Sequence, residues 1–239
     1  MPTSIIVYAD GACRGNPGAG AWAAVIYDAQ VQRVWEIAGH EPHTTNNRME
    51  LKAVMGALAA LATTPGDLTF YVDSTYVIQG ITQWVKGWQN RNWQTASGTP
   101  VANRDLWEPL LSLVRLREKH SAIRWQHVFG HAGVPGNERA DTIAQAFADK
   151  QSLQLFDGKF ADYPIDLVNL PSSQSQKRSN KSRSSKKAYL YLSLVNGALV
   201  RHSSWAECSA RVKGVPKAKF KKVLSPEEEQ QVLQDWGLA

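Results

Sequence analysis

Apolar and polar positions alternate along the chain in two modes, short unbroken apolar runs and longer helical patterns. Residues 5–9 form a continuous apolar run, as in a strand covered on both faces. Residues 18–27 alternate more loosely behind the turn-rich Gly15-Asn16-Pro17-Gly18, and residues 32–38 follow in the same style, which predicts two more strands. Thr45 is placed to cap a helix running from Asn46 to about residue 62, stopped by Pro65-Gly66. Its apolar positions, Met49, Ala53, Met55, Leu58 and Leu61, fit no single narrow stripe, so the helix is expected to be well buried. Residues 68–72 are a further apolar run that ends in Asp73. Helical patterns at 75–84 and 105–119 flank a polar, Trp-bearing segment, and residues 123–128 predict a last strand. The stretch 129–136, with three Gly and one Pro, predicts a loop, after which a helix opens near Asn137, a good cap, and runs to about residue 150. Three strands joined by short turns, followed by helix, strand, helices, strand and helix, predict an α/β fold: a mixed sheet with helices on its faces.

The pattern breaks after residue 170. Residues 171–176 are Ser/Gln-rich, and residues 177–187 hold six basic residues, four Ser and no acid, which predicts a solvated linker. Order is expected to resume at 188–195 and to end in a helix over about 225–235. The expected division is a first domain at 1–150, a connecting segment and linker at 151–187, and a small domain at 188–239. Residues 151–170 have no clear assignment, although Phe156, Phe160, Tyr163 and Leu167 could strap apolar groups onto the first domain.

Charge sharpens this division. Residues 1–176 carry 14 Lys/Arg against 16 Asp/Glu, whereas residues 177–239 carry 13 against 5, so the net charge of +6 belongs to the C-terminal part. A polyanionic partner, nucleic acid above all, is the natural expectation for such a tail, with a merely solubilising role as the alternative. The longest apolar stretch, 53–62, is half a membrane span, and residues 1–15 do not form a secretory signal. Cys13 and Cys208 lie far apart without metal-type spacing, so the expected compartment is a reducing cytoplasm.

Four acids stand out by position. Asp10 and Asp73 follow apolar runs, and neighbouring parallel strands deliver their C-terminal ends to one crevice. Glu50 lies one turn into a helix, and Asp141 lies in the first turn expected of the last one. Four converging carboxylates would repel and raise one another's pKa values. Two divalent ions about 4 Å apart would relieve that and suit in-line displacement at phosphorus. Oxygen ligands favour Mg²⁺ or Mn²⁺ over Zn²⁺. His127 and His131 lack the further ligands of a zinc site.

The words Tyr8-Ala-Asp-Gly-Ala, Thr44-Thr-Asn-Asn-Arg-Met-Glu50, Val72-Asp-Ser and Gly130-His-Ala-Gly…Gly136-Asn-Glu-Arg-Ala-Asp141 resemble type I ribonuclease H of the bacterial kind, over about residues 4–149. The resemblance implies a ribonuclease H-like five-stranded mixed sheet with flanking helices, its first three strands antiparallel. It implies an endoribonuclease that hydrolyses the RNA strand of RNA–DNA hybrids and leaves 5′-phosphate and 3′-hydroxyl ends. Asp10, Glu50, Asp73 and Asp141 fall on the family's metal-binding acids, with two Mg²⁺ expected in the presence of substrate and Mn²⁺ as a substitute. His131 falls on a loop histidine that assists proton transfer or product departure. Asn16, Asn46, Asn47 and the backbone near Cys13 fall on minor-groove contacts, and Thr45 and Asn103 on contacts to a DNA phosphate. Thr75 departs from a common Gln. The segment 84–103 departs from a lysine-rich protrusion, since only Lys86 and Arg91 are cationic there. Its residues Trp84, Trp88 and Trp93 suit core packing better than nucleic-acid contact, and a near-neutral domain should hold a polyanion weakly on its own.

The stretch Trp205-Ala-Glu-Cys-Ser-Ala-Arg-Val-Lys-Gly-Val-Pro-Lys-Ala-Lys-Phe-Lys-Lys222 resembles the hybrid-binding domain at the N-terminus of eukaryotic ribonuclease H, also found in viroplasmin, over about residues 188–235. Here it stands at the C-terminus. The resemblance implies a small α+β nucleic-acid-binding domain in which Tyr191, Trp205, Phe220, Lys221 and Lys222 contact the hybrid, with duplex RNA as a further ligand. Aromatic faces stacking on sugars or bases beside phosphate-binding ammonium groups suit that role, whereas Trp205 and Phe220 could instead be core residues of so small a domain. The expected protein is a monomer without membrane contact. Two rival readings are another nuclease or strand-transfer enzyme of the same fold, and a non-catalytic binding protein.

Overall fold

The apolar run at residues 5–9 is the middle of a longer strand, β1 (Ser4–Arg14). In this computed structural model, which describes residues 4–130, 132–169, 189–216 and 218–238, β1 lies inside a six-stranded sheet. It pairs antiparallel with β2 (Gly18–Asp28), and β2 with β3 (Arg33–Thr44). On its other side β1 runs parallel to β4 (Asp67–Val72), and β4 runs parallel to β5 (Ile123–His127). The sixth strand, β6 (Asp157–Lys159), pairs with the outer side of β3 and extends the expected five. Three residues, one of them Gly158, are too few to show a strand period in the sequence.

Alternation along β1 sends Ile5, Val7 and Ala9 into one core layer and Tyr8 and Ala12 into the other. The first layer is closed by α1 (Asn46–Ala60), α2 (Thr75–Gln79), a π-helical turn (Gly80–Trp84), α3 (Val85–Asn90) and α4 (Arg104–Glu118). Helix α1 buries Met49, Glu50, Leu51, Ala53, Val54, Ala57 and Leu58, which is why its apolar positions fit no narrow stripe. Trp88 and Trp93 are buried, and Trp88 meets Trp107 edge-on at 5.5 Å between centroids. The Trp-bearing segment therefore packs as core. Gly80 makes room for this frame, since a Cβ there would stand 2.2 Å from the Trp107 ring.

The second layer is closed by α5 (Pro135–Ala148) and by residues 151–169. The cap of α5 falls three residues earlier than the sequence suggests: Val134 is the cap, Pro135 takes the first position, and Asn137 lies inside the helix. Proline is favoured at that first position because the N–H it lacks would have no partner there. Asp141 consequently lies in the second turn. The strap at 151–169 covers the sheet with Phe156, Phe160, Tyr163 and Leu167, and the Tyr8 hydroxyl donates to the Leu167 carbonyl at 2.8 Å. It also closes over a buried charge. Glu36 on β3 accepts from Arg139 (2.7 and 2.9 Å), from the Tyr163 hydroxyl (2.7 Å) and from the Phe156 N–H (2.9 Å). Burial raises its pKa, but these donors together hold it below the ordinary carboxylate value.

The chain divides into two compact units, Met1–Lys177 and Arg178–Ala239. In the second, β7 (Leu190–Val195) lies between β8 (Ala198–His202) and β9 (Lys219–Val223), all antiparallel. Helices α6 (Trp205–Val212) and α7 (Pro226–Asp235) are capped by Ser204 and Ser225, and a small core forms around Leu192, Val223 and Val232. The basic run 177–187 lies outside the described residues. Among the described residues no helix is long and apolar enough to cross a membrane.

Candidate active site

The parallel register of β1 and β4 pairs Ala9 with Val72, so Asp10, inside β1 rather than after it, lies beside Asp73, which follows the end of β4. Glu50 arrives from α1 because Gly11 has no side chain: a Cβ there would stand 2.3 Å from the Glu50 nitrogen. Carboxylate oxygens of Asp10, Glu50 and Asp73 all lie within 4.8 Å of one another. Asp141 approaches from α5, close enough that its carboxylate helps to raise the Asp10 pKa. The four acids singled out in the sequence thus come from four different elements to one place.

Asp10 and Glu50 are both buried, and their pKa values lie well above the ordinary range. Desolvation is the first cause for each, followed by the neighbouring carboxylates, Asp73 and Asp141 acting on Asp10, and Asp10 and Asp73 on Glu50. Asp73 is also raised, mainly by burial, against a hydrogen bond from Asn137 that lowers it. Few donors answer these acids: Gly11 N–H to Asp10 at 2.8 Å, the Asn46 amide to Glu50 at 3.3 Å, and the Asn137 amide to Asp73 at 3.3 Å. Glu50 Oε2 is buried without any partner. A cluster of hard oxygen donors with an orphaned buried oxygen fits a divalent cation of the Mg²⁺ class.

Residues 2–149 of this chain match the family described as RNase H. The chain belongs to the ribonuclease H family. A curated ribonuclease H of Polaromonas naphthalenivorans is 50% identical over 144 residues, 60% of this chain and 86% of that protein. One from Alcanivorax borkumensis is 49% identical over 147 residues, 62% of this chain and 93% of that protein. Among solved structures, LC9-RNase H1, a type 1 RNase H with the type 2 active-site motif, superposes with a TM-score of 0.57 at 30% identity, covering 73% of this chain and 91% of that one. Residues 202–230 match a second family, the ribonuclease H1 N-terminal domain.

In the ribonuclease H domain, the other residues singled out in the sequence gather around the first turn of α1. Cys13 is half-buried, its Sγ 3.4 Å from the Thr44 carbonyl, and Asn16 Oδ1 accepts from the Asn46 N–H at 3.1 Å. Thr45 caps α1 without using its side chain, and Asn47 is exposed. Asn103, in a left-handed backbone conformation (φ 58°), donates to the Tyr76 hydroxyl at 3.2 Å and lies 3.5 Å from Arg48. His131 lies outside the described residues. His127 meets the Asp73 carbonyl through Nε2 at 3.1 Å. Two site residues escape a reading of the sequence. Asn137 looks like a cap but reaches Asp73, and Gly130 is needed because a Cβ there would stand 2.8 Å from Asp73 Oδ2.

In the C-terminal unit, Tyr191 pairs with Lys222 and Ser193 with Phe220, which puts Tyr191, Phe220 and Lys222 on one face. Trp205 bridges the two rings, with centroids 5.8 Å from Tyr191 and 5.6 Å from Phe220. Trp205 and Phe220 are 46% and 52% exposed, too open for core residues, and the core forms without them. Lys221 and Lys222 continue the same strand.

Proposed function

We propose that this ribonuclease H hydrolyses the RNA strand of RNA–DNA hybrids with the help of divalent cations, Mg²⁺ or in its place Mn²⁺, held by Asp10, Glu50, Asp73 and Asp141. The observation that carries this reading is the convergence of the Asp10, Glu50 and Asp73 carboxylates within 4.8 Å, the first two buried and Glu50 Oε2 left unpartnered. Bound cations would supply the positive charge that steadies a phosphodiester under in-line attack. The protein's own part is to hold four acids in a fixed pocket and to keep the RNA strand in register. In the balanced reaction a water oxygen bonds to phosphorus, the bond to the 3′-oxygen breaks, and that oxygen leaves protonated. The products are a 5′-phosphate and a 3′-hydroxyl. His131 is the proton carrier of this reading, suited by an imidazole that changes charge near neutrality.

Selectivity for a hybrid requires contact with a 2′-hydroxyl on one strand and with DNA on the other. Asn16, Asn46, Asn47 and the backbone near Cys13 supply neutral groups beside the acids, and the Asn46 amide already joins that surface to Glu50. Thr45, whose hydroxyl caps no N–H of α1, and Asn103 would hold a DNA phosphate. The C-terminal unit adds affinity: Tyr191, Trp205 and Phe220 form an aromatic surface beside Lys222, with Lys221 contributing charge from the other face of the same strand.

The test is a panel of end-labelled 20-mers in Mg²⁺: hybrid, duplex RNA, duplex DNA and single-stranded RNA. The expected result is cleavage of hybrid RNA alone, abolished in Asp73→Asn. Cleavage of another substrate, or an active Asp73→Asn, would overturn the reading.

A further inference from the structure

Helix α5 carries Asn137, Asp141 and Gln145 at intervals of four, a spacing that stacks them on one helical face. The outer two are amides, and each donates to a different acid of the cluster. Gln145 Nε2 lies 2.6 Å from Asp141 Oδ1, and Asn137 Nδ2 lies 3.3 Å from Asp73 Oδ2. Asn137 is 2% exposed, and its carbonyl oxygen is buried with no partner, as is Glu50 Oε2.

The backbone at Gln145 is tied down as well. Arg14, the last residue of the strand that carries Asp10, donates to the Gln145 carbonyl at 3.4 Å. Its guanidinium is held at the same time by both oxygens of Asp149, at 2.5 and 2.6 Å.

We propose that Gln145, with Asn137, is a positioning residue that sets the cation affinity of the acid cluster by fixing the carboxylates of Asp141 and Asp73 through neutral donors. The proposal rests on the reading that these acids hold divalent cations. A hydrogen bond from an amide fixes a carboxylate rotamer and leaves its charge for the cation, whereas a lysine or arginine at the same place would cancel that charge. Asp141 stands on a half-exposed helical face, where the Gln145 amide at 2.6 Å fixes one of its carboxylate oxygens. Residues that orient metal ligands in this way typically govern about ten- to a hundredfold of metal affinity.

The experiment uses the full chain with Mg²⁺ alone as the probe, titrated calorimetrically at fixed pH and salt, with Gln145→Ala beside wild type. Alanine is well tolerated in a helix, so the melting temperature of the metal-free variant should stay near that of wild type. The expected result is Mg²⁺ binding weakened about tenfold. The Mg²⁺ concentration for half-maximal cleavage should rise in proportion, while KM for hybrid at saturating Mg²⁺ stays unchanged. Asn137→Ser should act in the same direction. Unchanged Mg²⁺ affinity in Gln145→Ala, with wild type binding and Asp10→Asn not, would overturn the positioning role. Equal heats in wild type and Asp10→Asn would instead overturn the cation reading beneath it.

Discussion

The N-terminal unit gathers carboxylates whose ionisation burial opposes, whereas the C-terminal unit leaves two large aromatic rings open to water on and beside a strand with three lysines. The regions differ in the same sense in overall charge, 14 Lys/Arg against 16 Asp/Glu in residues 1–176 and 13 against 5 in residues 177–239. A site that must concentrate negative charge to hold cations is poorly suited to attract a polyanion, and the protrusion of this domain, with only Lys86 and Arg91, does little to compensate. Phosphate neutralisation drives most nucleic-acid affinity, so on the proposed reading it falls to the other unit. On that reading, the contrast teaches that chemistry and grip can be separated along one chain, each with its own cost in stability.

The sharpest way to break this division is at the acids. Asp10→Asn should lower the cleavage rate by about a thousandfold or more, while hybrid binding measured by anisotropy persists. The same substitution should raise the melting temperature of the metal-free protein, by about 2–4 °C for each kcal/mol of repulsion removed. Asp10, Glu50 and Asp73 have folded-state pKa values above their ordinary ones, so the folded state binds protons that the unfolded state has lost. Metal-free stability should therefore rise as pH falls from neutrality through those raised values. Glu36, held low, reverses the trend once the pH falls through its own value. Denaturation curves across pH in a chelating buffer check the sign, and a flat or opposite slope would contradict the buried cluster.

A smaller effect is expected on the grip. Trp205→Ala or Phe220→Ala should raise KM for hybrid about tenfold, the loss of one stacking platform, with little change in kcat. Smaller again for catalysis is the strap. Tyr163→Phe removes one of the four hydrogen bonds on Glu36 and should destabilise the N-terminal unit by about 1–3 kcal/mol, read by urea denaturation, while kcat changes little.

What the sequence could convey follows from how local each feature is. Asp73 was legible because an acid after an apolar run marks a strand end; the same cue caught Asp10 although β1 runs on through it to Arg14, and the motif words named all four acids. The burial of Glu50 was not, because it depends on α1 approaching β1 at Gly11, a contact between distant segments. Asn137 passed for a cap because a capping residue and an interior amide have the same composition signal, and only the proline two residues earlier tells them apart. The strap was legible as a run of apolar residues, Phe156, Phe160, Tyr163 and Leu167, that pack on the first domain as expected; its secondary structure was not, because its order comes from distant partners, Tyr8 for Leu167 and Glu36 for Tyr163, rather than from any period of its own. Nothing in the sequence singles out Glu36, whose burial depends on Arg139 and the strap closing over it.

The division of labour is tested most directly by single-turnover cleavage of a labelled hybrid across a range of enzyme concentrations and salt, comparing the full chain with its Trp205→Ala/Phe220→Ala/Lys222→Ala variant. The account predicts an equal cleavage rate at saturating enzyme, a half-saturation point raised at least about tenfold, and a shallower dependence on salt. A saturating rate that falls with the substitutions, or a half-saturation point that does not move, would contradict it.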